Sequence, residues 1–467
     1  MFCGQVAART LGDIVRKLGE KVLPELIPIL ERGLDSDDSD RRQGVCIGLS
    51  EIMSSTSRDH VTVFADSLIS TVHRALCDPL PEVRESAART FDTLHSNIGP
   101  RALDDIIPHL LKKLEDPTVS DYALDGLKQM MAVKSRVVLP YLVPQLTSPP
   151  VNTRALSMLS CVAGDALTRH LSKILPALMT SLASKRDSPD EQQELEYSQS
   201  VVLSVTDDAG IHTIIDDLLS AMTSNPSPSH RWAAVIILQS FCDRSRADYT
   251  DYIPQLLRGI IHMTIDTDQR VLLAAWDCLD SVTKKIEPSS LSRYISDMRQ
   301  SVRFAASDLK DSDAELPGFC LPRKGIMPIL PIFREGILNG SAEVKESAAL
   351  GLTELIRRTS SDALKSSVVN ITGPLIRILG DRYSHRVKVA MLDTLTLLLT
   401  KCGAMLKPFL PQLQMTFTKA LNDTSRVVRL RAGDALGQLM IIHTRVDALF
   451  TELLKVAKDA EDASVRF

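Results

Sequence analysis

Eight cysteines and ten histidines are the residues of this chain best suited to nucleophilic or metal chemistry. The thiols are Cys3, Cys46, Cys77, Cys161, Cys242, Cys278, Cys320 and Cys402; they lie singly, and no Cys-x-x-Cys occurs. A structural zinc site draws its ligands from close pairs, and a disulfide framework needs a short, cysteine-dense chain. The thiols therefore read as buried free side chains of a reducing compartment. Cys46 and His73 offer a thiol and an imidazole, but no carboxylate stands at a readable spacing to orient the ring. They read as a core thiol and a surface imidazole. The acidic run LDSDDSD (34–40) has the carboxylate density of a calcium loop but lacks its glycine and terminal glutamate, so it reads as an acidic turn. No P-loop, dinucleotide-binding, nucleophile-elbow or zinc-protease motif is present. The expectation is a protein that is not an enzyme, with no cofactor, no metal and no small-molecule substrate.

What remains is charge. From Arg323 onward there are 21 basic residues against 14 acidic, whereas the first 322 residues carry 33 against 44. Arg377, Arg382, Arg386 and Lys388 fall within twelve positions, with Tyr383 and His385 among them. Arg426, Arg429 and Arg431 follow about one repeat later. Guanidinium groups bind carboxylates bidentately, which suits an acidic protein partner. Charge with an interleaved aromatic also suits RNA. The net charge of −4 favours the protein partner. An ordinary solvated face is the plainer alternative.

The elements that must carry these side chains are helices. Apolar content is 44% and charged content 24%, ordinary globular values, while aromatics are only 4%. Helix-period patterns run throughout, and strand alternation is nearly absent. No apolar stretch of about 18 residues stands out, and the N-terminus lacks a basic start followed by an apolar run. The expected setting is cytoplasmic, without membrane contact. Prolines recur within apolar runs at Pro28, Pro108, Pro144, Pro176, Pro254, Pro331, Pro374 and Pro411. Their spacing defines a unit near 40 residues with some units lacking the proline, the period of HEAT and armadillo repeats. A mid-helix proline would bend each unit alike.

A second register marks the turn inside each unit. A polar residue precedes a Val-basic pair at Asp78/Val83-Arg84, Asn339/Val344-Lys345, Asp381/Val387-Lys388, Asp423/Val428-Arg429 and Asp459/Val465-Arg466. The Asp or Asn can close the turn and accept from helix N–H groups. Basic and acidic members of successive repeats can then form a ladder. The fold class is all-α, a HEAT-type α-solenoid of roughly eleven helical hairpins. Residues 4–18 read as a second helix without a first, and 465–467 as a second helix just begun, so the chain reads as a piece of a longer array. The expected organisation is an acidic sub-array 1–305, an insertion 306–325 and a basic sub-array 326–467. Phe319 and Leu321 should anchor the insertion.

Longer stretches carry a more specific likeness: FCGQVAARTLGDIVRKLGEKVLPELIPIL (2–30), RQGVCIGLSEIM (42–53), SRVVLPYLVPQLTSPPVNTR (135–154), PGFCLPRKG (317–325) and VVNITGPLIRILGDRYS (368–384). In these the chain resembles the C-terminal region of the large translational activator of general amino acid control. The resemblance implies a ribosome-associated HEAT scaffold that activates the kinase of the initiation factor two alpha subunit. It also implies binding to the RWD domain of that kinase and to other RWD-domain proteins. The family ties RWD binding to arginine, which carries over to Arg377 and Arg382 in PLIRILGDRY, with Arg334 in PIFREGIL a second candidate. Arg386 and Lys388 join them as partner-binding candidates from the basic cluster. A nuclear-transport or RNA-binding solenoid is the alternative.

Overall fold

The computed structural model describes residues 2–309, 314–380, 382–442 and 447–459. Its elements are α-helices and short 3-10 turns, and no strand occurs among the described residues. The chain is an all-α HEAT-type solenoid. It divides into two compact units, Met1–Ile214 and Ile215–Phe467.

In the first unit α1 (Phe2–Leu18) precedes the hairpin α2 (Leu23–Gly33) and α3 (Ser39–Ser55). The short α4 (Arg58–Val63) leads to α5 (Ala65–Leu76) and α6 (Pro81–Ile98), then to α7 (Arg101–Lys113) and α8 (Ser120–Thr147). α8 bends at Lys134, whose φ of −139° and ψ of 54° are not helical. One helical run thereby serves two hairpins, with α7 before it and α9 (Thr153–Ala163) after it. α10 (Leu171–Ser184) and α11 (Glu191–Leu203) follow, and the unit ends inside α12 (Asp208–Ser224). Second helices stack on second helices, α1 on α3, α3 on α6 and α6 on α8, while the first helices α2, α5 and α7 stack likewise. The packing of α1 on α3 matches the reading of 4–18 as a second helix. Gly126 permits one close approach, since a Cβ there would stand 2.2 Å from the Leu76 carbonyl oxygen.

In the second unit α13 (Pro228–Arg244) packs on α15 (Gln269–Lys285), and α14 (Ile253–His262) on both α15 and α16 (Ile295–Ser307). Three hairpins follow: α17 (Leu330–Asn339) with α18 (Ala342–Arg357), α20 (Val368–Leu379) with α21 (His385–Cys402), and α22 (Leu410–Ala420) with α23 (Arg426–Ile442). The short α19 (Ser361–Leu364) precedes α20, and α24 (Asp447–Asp459) is the last described helix. Side-chain caps start several of these helices, as Asp268 does for the N–H groups of Arg270 and Val271, and Ser341 for Val344. The small residues Ala87, Ala88, Ala275, Ala348 and Ala349 are fully buried where second helices meet. Leu, Ile and Phe side chains fill the core beside them.

The prolines do not all bend helices. Pro28, Pro108, Pro144, Pro176 and Pro374 are interior, but Pro254, Pro331 and Pro411 stand in first turns. A first-turn N–H has no intrahelical partner, so proline there loses nothing.

The insertion lies wholly inside the second unit. Leu316 and Phe319 are completely buried and Leu321 nearly so, around a single 3-10 turn, Pro317–Phe319. The Leu316 N–H donates to the Arg358 carbonyl at 2.8 Å, and the Arg358 guanidinium donates to the Ala314 carbonyl at 3.0 Å. Lys401 of α21 donates to Glu315 at 3.0 Å and to the carbonyls of Arg357 and Thr359. On the other side, Trp276 of α15 donates to the Gly325 carbonyl at 2.8 Å, and Lys324 pairs with Asp277 over the Trp276 ring. Gly325 takes a φ of +51° with the Ala363 carbonyl against it, leaving no room for a Cβ. Residues 310–313 lie outside the described residues.

One helical run, His385–Ala420, is long and apolar enough by composition to cross a membrane, and half of its most apolar window is buried inside the protein. This corrects the expectation that no such stretch exists. The run sums the core faces of α21 and α22 across the 3-10 turn Gly403–Phe409.

Candidate protein-docking surface

A basic residue in the first turn of a second helix builds a ladder between repeats; Arg84 and Lys388 of the Val-basic register take part, and so do Arg42 and Arg231, which no Val precedes. In three repeats the second-helix arginine grips its own turn and the next repeat together. Arg42 donates to the Ser36 and Asp37 carbonyls and, with two nitrogens, to Asp78 at 2.7 and 3.0 Å. Arg84 donates to the carbonyls of Asp78 and Pro79 and to Asp125 at 2.6 Å. Arg231 donates to the Asn225 and Pro226 carbonyls and bidentately to Asp266 at 2.7 and 3.0 Å. These pairs are shielded: the Arg42 and Asp78 side chains are 13% and 8% exposed. The hydrogen bonds they donate to Asp78 and Asp266 hold the Arg42 and Arg231 guanidiniums above their ordinary pKa. Lys345 donates to two turn carbonyls and lies 5.3 Å from the Tyr383 ring centre.

The same accounting sorts the sequence candidates. Lys388 belongs to the ladder. Its ammonium meets Asp423 at 2.6 Å, and both side chains are largely covered. Burial pushes the Asp423 carboxyl up, but the Lys388 ammonium, the Ser425 N–H and the Arg429 charge outweigh it and hold the group below its usual range. Arg429 is spent on the carbonyls of Asp423 and Thr424, and Arg431 on Asp393 and Asp434. Arg334, Arg377, Arg382 and Arg386 differ. All four are exposed, and none has an ion-pair partner among the described residues. Arg334 is on α17, Arg377 in the last turn of α20, Arg382 between α20 and α21, and Arg386 in the first turn of α21. Asp381, and Val465-Arg466 at the chain's end, lie outside the described residues. By contrast, exposed arginines of the first unit are mostly answered, as Arg74 by Asp35, Arg101 by Asp66 and Arg136 by Asp165.

Sequence reasoning missed the surroundings of Arg334. It borders a groove with Leu291, Met327, Leu330, Pro331 and Leu338. Met327 is 36% exposed, and Val369, beside the groove residue Asn370, is 63% exposed. Apolar residues on a helix's solvent side were the available signal, but which side faces solvent depends on the stacking.

The groups considered first for chemistry sit otherwise. Cys46 is buried, which pushes its thiol up to about 12 and leaves it unreactive. His73 is not a surface imidazole. It is half-buried with its ring centre 5.2 Å from that of His109, and burial, helped by His109 and Lys113, lowers it to about 4. Among the described residues no three His, Cys, Asp or Glu side chains are grouped to hold a metal ion.

Comparison with known proteins adds to this geometry. Residues 138–323 match the family described as stalled ribosome sensor GCN1-like HEAT repeats. Over 99% of its length the chain is 59% identical to the human stalled ribosome sensor GCN1. It is 39% identical over 98% of its length to the eIF-2-alpha kinase activator GCN1 of Dictyostelium discoideum, and 38% over 99% to that of Saccharomyces cerevisiae. The chain spans 17% of the length of each of these relatives. With this identity along nearly its whole length and a matching helical repeat, the chain belongs to the GCN1 family of HEAT-repeat proteins and corresponds to one segment of such a protein.

Proposed function

We propose that this segment is a non-catalytic scaffold that binds the RWD domain of the initiation factor two alpha-subunit kinase, and related RWD proteins. Through the parent protein it would couple ribosome status to kinase activation in the cytoplasm. One observation carries the reading: Arg334, Arg377, Arg382 and Arg386 stand exposed without an ion-pair partner among the described residues, while the neighbouring Lys388, Arg429 and Arg431 are engaged by acidic side chains or turn carbonyls. An exposed guanidinium keeps its fork free for a partner's carboxylate, and its stem can cover apolar surface.

The test is a titration of an isolated RWD domain against wild type, Arg377→Ala, Arg382→Ala and Arg386→Ala, with helicity checked by circular dichroism. Truncating a central interface arginine costs about 2 kcal/mol, roughly thirtyfold in affinity. Folded variants that all bind within twofold of wild type would rule the assignment out. An RNA-binding or transport solenoid would instead give capture that nuclease abolishes, or none.

A further inference from the structure

Two imidazoles from successive repeats meet in the first-helix layer of the first unit. His73 lies in the last turn of α5 and His109 in α7, and these two helices pack together. The ring centres are 5.2 Å apart and the ring planes are tilted by 55°. Nδ1 of His109 stands 2.6 Å from the Asp105 carbonyl oxygen. A carbonyl only accepts, so that nitrogen carries the proton and Nε2 of His109 carries the lone pair. On His73 it is Nε2 that is buried without a hydrogen-bond partner among the described residues. A buried polar atom with no partner destabilises a fold until something meets it. The His73 ring is also neutral at pH 7, since burial, with His109 and Lys113, lowers it to about 4.

We infer that His73 and His109 bind one divalent transition cation of the zinc class between their rings, joining α5 to α7 across two repeats. The ring separation fits such an ion. A zinc–nitrogen bond of about 2.0–2.1 Å puts each ring centre about 3.2 Å from the metal, so two rings at the tetrahedral angle have centres about 5.2 Å apart. Neutral imidazole suits zinc, copper and nickel, whereas magnesium and calcium take oxygen ligands. The free carbonyls at the C-terminal end of α5 place partial negative charge beside His73. Lys113, one turn beyond His109 on α7, is the charge that opposes a cation here. No third His, Cys, Asp or Glu joins the pair among the described residues, so water fills the other coordination positions. The exposed His109 gives the ion its way in from solvent. The inference is independent of the exposed arginines of the second unit.

The experiment uses the whole chain, with Zn2+, Co2+ and Mg2+ alone as probes. Calorimetric titration should find one zinc equivalent for which excess Mg2+ does not compete. His109→Ala and His73→Gln should each weaken it at least about tenfold, the loss typical of removing even a group that only supports a metal ligand. His109 is exposed, so its variant keeps the test sharp if His73→Gln fails to fold. His212→Ala, an exposed histidine on α12, should leave the equivalent unchanged. Lys113→Met should tighten it, because a like charge is removed. Zinc should raise the thermal midpoint of wild type and not that of His109→Ala, since only a folded pair binds the ion. The eight cysteines are competing ligands, and cobalt separates them. Bound Co2+ should show ligand-field absorption without a thiolate charge-transfer band. A chain that takes up no zinc overturns the inference. So does zinc binding within twofold of wild type in His109→Ala, or a thiolate band that accounts for the bound equivalent.

Discussion

Arg231 shows how much of a side chain's role is settled by its partners. Its guanidinium closes its own turn and takes both Asp266 oxygens, with the Asp266 side chain only 4% exposed. Removing the arginine alone leaves a covered carboxylate uncompensated, so Arg231→Ala should lower unfolding free energy by about 3 kcal/mol in urea. Arg231→Met with Asp266→Leu should cost clearly less than the sum of the two single changes, and additivity would show that the pair is not coupled. A pH experiment tests the Lys388–Asp423 pair. The Asp423 carboxyl is held below its ordinary value in the folded chain, so its contribution is present above the unfolded value of about 4 and fades as pH falls through the folded one. The destabilisation caused by Asp423→Asn should therefore be full at pH 7 and shrink below about pH 4, read as the difference in urea midpoint from wild type. A difference that stays constant down to pH 2.5 would remove Lys388 as the cause.

Among the elements, residues 314–325 are built least like the rest, yet are tied to helices on both sides. A layer of second helices continues from α13 to α15 and from α18 to α21. Between those pairs the chain supplies buried Leu316 and Phe319, with hydrogen bonds to α15 on one side and to Arg358 and Lys401 on the other. Phe319→Ala should cost about 3–5 kcal/mol, since the ring is fully enclosed. Trypsin should cut the native protein slowly after Arg323 and Lys324 and the Phe319→Ala variant rapidly. Equal, fast cleavage of both would mean that the anchoring does not hold in solution. Apolar residues inside a polar, proline-containing stretch made this anchoring legible in sequence. The helix partners were not legible, because Lys401 and Glu315 meet across 86 residues.

At the scale of the whole molecule, the proposed RWD-binding role would place stability and partner binding on different cations. Lys388→Met should lower the thermal midpoint while leaving RWD affinity within twofold of wild type at a temperature where both are folded. Arg382→Ala should do the reverse, because its exposed side chain holds no neighbouring repeat among the described residues. Binding by the exposed arginines should also weaken as salt rises, since surface charges are screened within about 8–10 Å at physiological ionic strength. A thermal midpoint unchanged in Lys388→Met would sink this division of labour.

The sequence alone determined the helical class, the 40-residue repeat, the turn register and its ladder, and the kinship visible in the longer motifs. These follow from local periodicity and from residue types whose chemistry has few uses, such as an Asp that closes a turn before a Val-basic pair. Only the tertiary structure decided which cations remain exposed. Arg386 and Lys388 are two residues apart and of like charge, yet one is exposed and the other is covered by an aspartate 35 positions on. It likewise decided that His73 is half-buried against His109, that several prolines start helices rather than bend them, and that Arg334 borders an apolar groove. For the exposed cations, His73 and the groove the physical reason is the same. A side chain's exposure and its partner are set by the repeat stacked against it, and those contacts lie some 35 to 45 residues away in sequence, beyond the reach of any local pattern.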